Sequence, residues 1–198
     1  VYTSTWHTVD TLRQHYPRCR RLFILGTPDM RAEMQEAGFA DVDDAPDAVI
    51  AAFDTGLTYD RLCRTAYWVS RGLPFIETHP DVICPTDQET VLVDCGAICA
   101  ALSAATLRAP DRVLGKPNPE MLLCIARRHG LPPGQMLMVG DRLQTDILLA
   151  VQAGALSCKV ANPREDGVYD KDLEVSPDFR VTHLGELHAL LRQARELA

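Results

Sequence analysis

Short apolar runs and amphipathic stretches alternate along most of this chain. The apolar runs have the length of buried strands and lie at 21–26, 48–53, 73–77, 111–115, 136–139, 156–160 and 179–181. The stretches between them carry apolar residues at helical spacing, as over 58–71, where Leu62, Ala66 and Val69 share one face. This alternation predicts an α/β fold whose sheet is largely parallel.

Several helix boundaries can be placed from single residues. Thr27 followed by Pro28 predicts a helix start, because a threonine hydroxyl caps the first turn and proline fits the first helical position. Gly38 predicts the end of the same helix, since glycine adopts the left-handed conformation there without strain. The polar segment 162–177 is predicted to be a surface loop. In the last predicted helix, 185–197, the apolar residues expected to face inward are Leu187, Leu190, Leu191 and Ala194.

Composition and charge disfavour some classes of function. With 46% hydrophobic and 24% charged residues, the 198-residue chain is ordinary for a globular protein. Its net charge of −7 gives no electrostatic reason to expect a nucleic acid or an anionic membrane as a partner. No apolar run is long enough to span a bilayer, and residues 1–16 lack the apolar segment of a signal peptide. We therefore expect a cytoplasmic protein with no membrane or nucleic-acid partner.

The seven cysteines do not indicate a disulfide or a metal site. They form no Cys-x-x-Cys pair and several lie inside apolar runs, so we expect reduced thiols in the core of a cytosolic protein. Cys95 and Cys99 fall at helical spacing, but no histidine or second cysteine pair stands beside them in the sequence. A zinc site at these two residues is therefore not expected.

The segment 114–153 carries the candidate chemistry. Lys116 stands in a Gly-Lys-Pro corner that opens one helix, and Asp141 follows the strand 136–139, with Asp146 five positions on. Consecutive strand–helix units would bring these residues to the carboxyl edge of one sheet, where open α/β sheets bind ligands. Two aspartates can hold Mg²⁺ directly or through water, and a lysine can stabilise phosphoryl oxygens. Taken singly, Lys116 could be a solvated surface lysine and Asp141 a helix N-cap, but the joint pattern favours catalysis.

Two motifs in this segment, GKPNP at 115–119 and GDRLQTDI at 140–147, resemble motifs of the haloacid-dehalogenase-like phosphatases. They are most similar to the subgroup with a large α/β cap, the NagD-like and 4-nitrophenylphosphatase-like enzymes. Upstream segments resemble the cap of that subgroup in the same order, among them VYTSTWHT, LFILGTPDMRAEMQEAGF and DCGAICAAL. The resemblance implies an α/β cap domain over 1–112 and the carboxyl-terminal part of a Rossmann-like core over 113–198.

The resemblance also implies a reaction and a site. A Mg²⁺-dependent phosphomonoester hydrolase of this kind forms an aspartyl-phosphate, which water then hydrolyses. Lys116 would be catalytic by neutralising charge on the nucleophile and the phosphoryl oxygens, and Asp141 and Asp146 would hold the metal. The residues implied in binding a small phosphorylated metabolite are His79, Asp81, Asp94, Gly140 and Thr145.

His79 lies in a Thr-His-Pro-Asp sequence, where the family usually has Thr-Asn-Pro-Asp near the junction of cap and core. It could equally be a turn histidine before a proline. The resemblance implies a structural or substrate-contacting role and not acid catalysis, because the acid–base residue of the family is the second aspartate of its first motif. Related caps select different phosphate esters, which leaves the substrate open. Capped relatives often dimerise through the cap, so the analogy implies a homodimer of this kind, and the oligomeric state stays open.

One departure from the family governs the functional prediction. Members begin with an Asp-x-Asp-Gly motif on the first strand, and no such motif occurs in this chain. The nearest stretch, FDTGLT at 53–58, lacks the second carboxylate and falls where the family has a cap strand and turn, so we interpret it as a coincidental match. We expect a longer natural chain with the nucleophile on the preceding segment, and we expect these 198 residues alone to be inactive.

A second hypothesis belongs to another class of function. The chain could be a complete relative without the nucleophile, which binds a ligand or a partner but catalyses nothing. An upstream Asp-x-Asp-Gly strand would favour the enzyme, and a genuine start at or near Val1 would favour the binding module; Val1 is not methionine, which favours a partial chain. A P-loop kinase and a dinucleotide-binding protein are disfavoured, because neither glycine-rich phosphate motif occurs.

Overall fold

The computed structural model describes residues 1–87, 89–163 and 174–196. Contacts divide the chain into Val1–Gly115, here called unit 1, and Lys116–Ala198, called unit 2, and each is described by itself. The predicted loop 162–177 falls largely outside the described residues. None of the described helices combines the length and the apolar character needed to cross a membrane.

Unit 1 is built around a parallel sheet whose strands alternate with helices along the chain. The strands are β1 (Arg21–Leu25), β2 (Ala40–Asp41), β3 (Ala48–Ala51), β4 (Phe75–Glu77), β5 (Ile83–Cys84), β6 (Leu92–Val93) and β7 (Arg112–Val113). The helices are α1 (Ser4–His15), α2 (Pro28–Glu36), α3 (Tyr59–Ser70) and α4 (Cys95–Thr106). Five strands pair in the order β2-β1-β3-β4-β7, whereas β5 and β6 form a separate antiparallel pair. The predicted α/β class with a parallel sheet is confirmed.

The starts of three helices in unit 1 follow from hydroxyl side chains. Thr3, Thr27 and Thr58 each accept a hydrogen bond from a backbone N–H group in the first turn of α1, α2 and α3. Such a cap satisfies N–H groups that have no partner inside the helix. Gly38, just past the end of α2, has a φ of 95°, which glycine adopts without strain. The predicted boundaries of α2 are therefore confirmed.

The sheet of unit 1 is covered on both faces. Because side chains alternate along a strand, Ile24 and Ile76 lie on one face, in a cluster with residues of α1 and α2. Val49 and Phe75 lie on the other face, in a cluster with residues of α3 and α4. Burial on both faces explains why these strands read as continuous apolar runs in the sequence.

Unit 2 contains a smaller parallel sheet in the order β10-β9-β8. Its strands are β8 (Leu137–Gly140), β9 (Leu156–Val160) and β10 (Phe179–Val181), and its helices are α5 (Glu120–His129), α6 (Leu148–Ala153) and α7 (Leu184–Glu196). One π-helical turn, Leu143–Ile147, joins β8 to α6. Within the described part of the chain β8 is an edge strand, and all of its residues are only partly buried.

Some expectations from the sequence are wrong in detail. Strands β2, β5 and β6, each two residues long, are not predicted. In α7, Leu187 packs with Cys158 and Val181 as expected, but the rest of the predicted inward stripe is exposed, because the described part of unit 2 covers only the first turn of that helix. The exposed residues of that stripe are Leu190, Leu191 and Ala194.

Candidate active site

Lys116 and Asp146 form a direct contact in unit 2. The Nζ atom of Lys116 lies 2.6 Å from Oδ1 of Asp146. The carboxylate is nearly buried, with 4% of its side chain exposed, whereas 42% of the lysine side chain is exposed. The ammonium group is therefore fixed by the protein on one side and accessible to water or to an anionic ligand on the other.

The second oxygen of Asp146 is held by the backbone that follows β8. Oδ2 accepts hydrogen bonds from the N–H groups of Asp141 and Arg142, at 3.2 and 3.3 Å. Gly140 permits this approach, because a Cβ atom there would lie 2.2 Å from the Cβ atom of Asp146. Gly140 thus has a clear packing role, and its contact with a substrate stays a prediction.

Asp141 is oriented by a residue that sequence reasoning missed. The side-chain amide of Asn162 donates to Oδ2 of Asp141 over 2.6 Å. Asn162 directly follows β9, just as Asp141 directly follows β8. Because parallel strands end at the same edge of a sheet, this position in the sequence could have identified Asn162 as a neighbour of Asp141. No described residue bonds to the other carboxylate oxygen of Asp141, which is only partly buried.

The oxygen donors of this group suit Mg²⁺. This ion prefers oxygen ligands and keeps several waters, so one or two carboxylates are enough to hold it. Asp141 offers an open carboxylate oxygen, whereas both oxygens of Asp146 already accept hydrogen bonds. Asp141 is therefore suited to bind Mg²⁺ directly, whereas Asp146 is suited to position Lys116 and the backbone of Asp141. Direct ligation by Asp146 stays a prediction.

Thr145 lies in the π-helical turn beside Asp146. Its side chain is buried, and its hydroxyl group has no hydrogen-bond partner among the described residues. Leaving a buried hydroxyl unpaired costs about 1–3 kcal/mol, so a polar group that reached it would be held favourably. The substrate contact expected of Thr145 stays a prediction.

In unit 1, three of the predicted residues lie together. Nδ1 of His79 is 3.6 Å from Oδ2 of Asp81, and Nε2 of His79 is 3.5 Å from Oδ1 of Asp94. Asp94 also accepts a 2.6 Å hydrogen bond from the N–H group of Cys95 and so caps α4. The three side chains could contact one polar ligand, and that role stays a prediction.

Two glycines define the position of the loop that carries His79. A Cβ atom at Gly96 would lie 2.3 Å from the carbonyl oxygen of Pro80, and one at Gly115 would lie 2.7 Å from the Cβ atom of His79. The N–H group of Gly115 also donates to Nδ1 of the buried His7 over 3.3 Å. Any side chain at either glycine would push this loop outward.

Comparisons with known proteins point to one family of hydrolases. A family profile described as HAD-hydrolase-like matches residues 113–187. The structure of a 4-nitrophenylphosphatase from Thermotoga maritima is 38% identical with a TM-score of 0.84, over 93% of this chain and 70% of that one. Ribonucleotide monophosphatase NagD of Escherichia coli is 33% identical over 153 residues.

The curated relatives differ in how much of their length is matched. The NagD match covers 77% of this chain and 58% of the Escherichia coli protein, so the chain spans less than two thirds of that relative. Glycerol-3-phosphate phosphatase of Homo sapiens is 26% identical over 220 residues, with 94% of this chain and 68% of the human protein covered. The names of all three proteins describe phosphatases.

Proposed function

Because this chain belongs to the haloacid-dehalogenase-like hydrolases, and within them to the NagD-like subgroup, we propose that the protein is a Mg²⁺-dependent phosphomonoesterase. The observation that carries the proposal is the group after β8, in which Asp146 binds both Lys116 and the backbone of Asp141. A fixed ammonium group joined in this way to an open carboxylate suits an anionic phosphoryl group and a hard cation.

The proposed reaction has two steps. An aspartate carboxylate attacks phosphorus, the P–O bond to the alcohol breaks, and water then hydrolyses the aspartyl-phosphate to inorganic phosphate and the free carboxylate. Lys116 neutralises negative charge on the nucleophile and the phosphoryl oxygens, and Asp146 keeps Lys116 in place. Mg²⁺ held by Asp141 would supply further positive charge next to the phosphoryl group.

The nucleophilic aspartate, in this proposal, lies on a segment that precedes Val1. No Asp-x-Asp-Gly motif occurs in the 198 residues, and FDTGLT at 53–58 follows β3 as a turn in which Asp54 accepts a 2.9 Å hydrogen bond from Gly56. In the described part of unit 2, β8 has no partner strand on its outer side. A further parallel strand there would end beside Asp141, which supports this location.

The proposed substrate is a small phosphorylated metabolite and the proposed compartment is the cytoplasm. The names of the relatives refer to ribonucleotide monophosphates, glycerol 3-phosphate and 4-nitrophenyl phosphate, which share a phosphate monoester. All seven cysteines of the chain are free thiols, which is usual in a reducing compartment. The homodimer through the cap remains part of the proposal, and light scattering of the full-length protein would test it.

Phosphate release by the full-length protein tests the proposed function. We expect Mg²⁺-dependent hydrolysis of at least one nucleoside monophosphate, sugar phosphate or glycerol phosphate. Lys116→Met and Asp141→Asn should each lower kcat by roughly 100-fold or more, because each removes electrostatic stabilisation of the transition state. Asp54→Asn removes a carboxylate from the coincidental 53–58 motif and should leave the activity unchanged.

Two results would contradict the proposal in different ways. A full-length protein that releases no phosphate from any of these esters would favour a ligand-binding module. Turnover by the 198-residue chain alone, lost in Asp141→Asn, would show that the nucleophile does not lie on a preceding segment.

A further inference from the structure

Three buried side chains with acidic groups meet in unit 1. A carboxylate oxygen of Glu77 and the Sγ atoms of Cys95 and Cys99 all lie within 4.8 Å of one another. Glu77 is 6% exposed, Cys95 is 0% exposed and Cys99 is 2% exposed. The sequence shows no third ligand beside the two cysteines, and the fold supplies one from a strand that ends eighteen residues before Cys95.

The regular geometry of β4 and α4 brings these groups together. Side chains two apart on a strand share a face, so Glu77 lies on the same side of the sheet as Phe75, which packs with residues of α4. Cys95 and Cys99 are one helical turn apart, and both lie on the buried face of α4. The three groups therefore converge on one point between the sheet and the helix.

The distances within this group match those of a thiolate-bound metal ion. We propose that Glu77, Cys95 and Cys99 bind one Zn²⁺ ion, which stabilises the fold of unit 1. Tetrahedral zinc with Zn–S bonds of about 2.3 Å places two sulfur atoms about 3.8 Å apart. The Sγ atoms of Cys95 and Cys99 are 4.0 Å apart, so the two thiols need little movement to bind such an ion.

Neighbouring oxygen atoms complete the surroundings of Cys95. Its Sγ atom lies 3.2 Å from the carbonyl oxygen of Ala51, to which the thiol donates in the absence of metal. The hydroxyl group of Thr78 lies 3.7 Å from the same sulfur and can donate to a thiolate. The Ala51 carbonyl also accepts a 3.0 Å hydrogen bond from the backbone N–H group of Thr78, and the Thr78 hydroxyl suits a partner that stabilises a metal-bound thiolate.

Protonation of the three groups governs how readily a cation binds at this point. Burial raises the pKa of Glu77 to about 7. The hydrogen bond between the two thiols lowers the pKa of Cys95, whereas the same bond, followed by burial, raises the pKa of Cys99, so a metal ion has to displace the proton of Cys99. Binding of Zn²⁺ releases the thiol protons of both cysteines, and the carboxyl proton where it is present, to solvent. With both thiolates and the carboxylate bound to the ion, the site carries one net negative charge.

Zinc and cobalt titrations of the full-length protein test the site. Because the group is buried, the metal should be offered both to the folded protein and during refolding from denaturant, after removal of bound metal by a chelator. We expect one equivalent of Zn²⁺ per chain by elemental analysis after dialysis and a higher unfolding temperature. Co²⁺ should give thiolate-to-cobalt absorption in the near ultraviolet, which an all-oxygen site such as Asp141 cannot produce.

Variants locate the metal. Cys99→Ser and Glu77→Gln should weaken Zn²⁺ binding by at least about 100-fold, more than the loss of an outer partner does. Cys158→Ser is a matched control, because Cys158 is equally buried but lies in unit 2. Its zinc content should equal that of the unchanged protein.

Three outcomes would overturn the proposal. The first is a zinc content below about 0.1 equivalent after refolding, which is near the background of such measurements. The second is a cobalt spectrum without thiolate absorption. The third is zinc binding that survives in folded Cys99→Ser or Glu77→Gln. Far-ultraviolet circular dichroism establishes that each variant is folded. If a variant does not fold, the zinc content and cobalt spectrum of the unchanged protein decide the question.

Discussion

The ammonium group of Lys116 is held 2.6 Å from the carboxylate of Asp146, thirty residues further along the chain. The same carboxylate binds the backbone N–H group of Asp141, so one side chain fixes both the lysine at the start of unit 2 and the aspartate that follows β8. The Gly-Lys-Pro corner and the Gly-Asp sequence with its second aspartate therefore form one structural arrangement rather than two independent signals.

Asp146→Asn should destabilise the protein by about 2 kcal/mol, since the amide keeps the size of the side chain but loses the charge that Lys116 requires. The partial exposure of Lys116 limits the cost, because its ammonium group can turn towards water. Urea unfolding followed by circular dichroism measures the change. Glu120→Gln breaks the Arg127–Glu120 pair, whose side chains are 53% and 44% exposed, and should cost less than about 0.5 kcal/mol. Equal costs in the two variants would contradict this account of Asp146.

Gly140→Ala should destabilise the protein by on the order of 3 kcal/mol, because the new methyl group would overlap the side chain of Asp146. Differential scanning calorimetry should show a clearly lower unfolding temperature. Gly134→Ala is the matched control, because the nearest atom to a Cβ there is 3.9 Å away. A lower unfolding temperature in Gly134→Ala but not in Gly140→Ala would refute the steric explanation.

Asn162→Ala should weaken Mg²⁺ binding by about tenfold, because outer partners that orient a ligating carboxylate typically contribute this much. The prediction rests on the proposed function, and calorimetric titration of the full-length protein with Mg²⁺ measures it. Gln152→Ala removes a similar amide from the exposed side of α6 and should leave the affinity unchanged. An unchanged affinity in Asn162→Ala would mean that Asp141 needs no support from Asn162.

Asp47 should make the stability of the protein depend on pH in the acid range. Its Oδ2 atom accepts hydrogen bonds from the N–H groups of Arg20 and Arg21, at 2.8 and 2.9 Å. These bonds, first the one from Arg20, lower the pKa of Asp47 below its ordinary value of 3.8. The folded state then binds fewer protons than the unfolded state near this pH, so the contribution of Asp47 is present above 3.8 and is lost as the pH falls through its folded pKa.

Unfolding free energies measured at several acid pH values test this effect. Asp47→Asn should reduce the loss of stability on acidification relative to the unchanged protein. Asp44→Asn is the control, because the Asp44 side chain is 91% exposed, and it should retain the original pH dependence. A pH dependence that is the same in Asp47→Asn as in the unchanged protein would exclude Asp47 as its source.

The parts of the fold that were predictable from the sequence have strong local signals. Thr27, Pro28 and Gly38 place both ends of α2, because each residue type has a specific backbone or capping preference. Lys116 and the two aspartates were expected at the edge of one sheet, and this is wrong, because β7 before Lys116 pairs with β4 in unit 1 whereas β8 belongs to the sheet of unit 2. Lys116 and Asp146 nevertheless lie together. Their direct contact needs the packing around Gly140, which no sequence pattern contains.

The residues that were missed depend on contacts distant in sequence. Asn162 is an ordinary loop amide until β9 places it beside Asp141. Glu77 looks like the polar end of an apolar strand, and only the packing of α4 shows that it is buried next to Cys95 and Cys99. In α7 the sequence pattern misleads in the other direction. Its apolar stripe predicts burial, but most of that stripe is exposed in the described part of unit 2.

The π-helical turn between β8 and α6 sets a strict requirement on chain length. The N–H group of Leu148 bonds to the carbonyl oxygen of Leu143, five residues earlier, so this turn holds one residue more than an α-helical turn. Deleting that residue would rotate everything after it by about 100°, given 3.6 residues per turn. Either Asp146 would lose Lys116, or the buried residues Leu149 and Ala150 would leave the core. A one-residue gap at this place in a related sequence would therefore disrupt the site as surely as replacing one of its side chains.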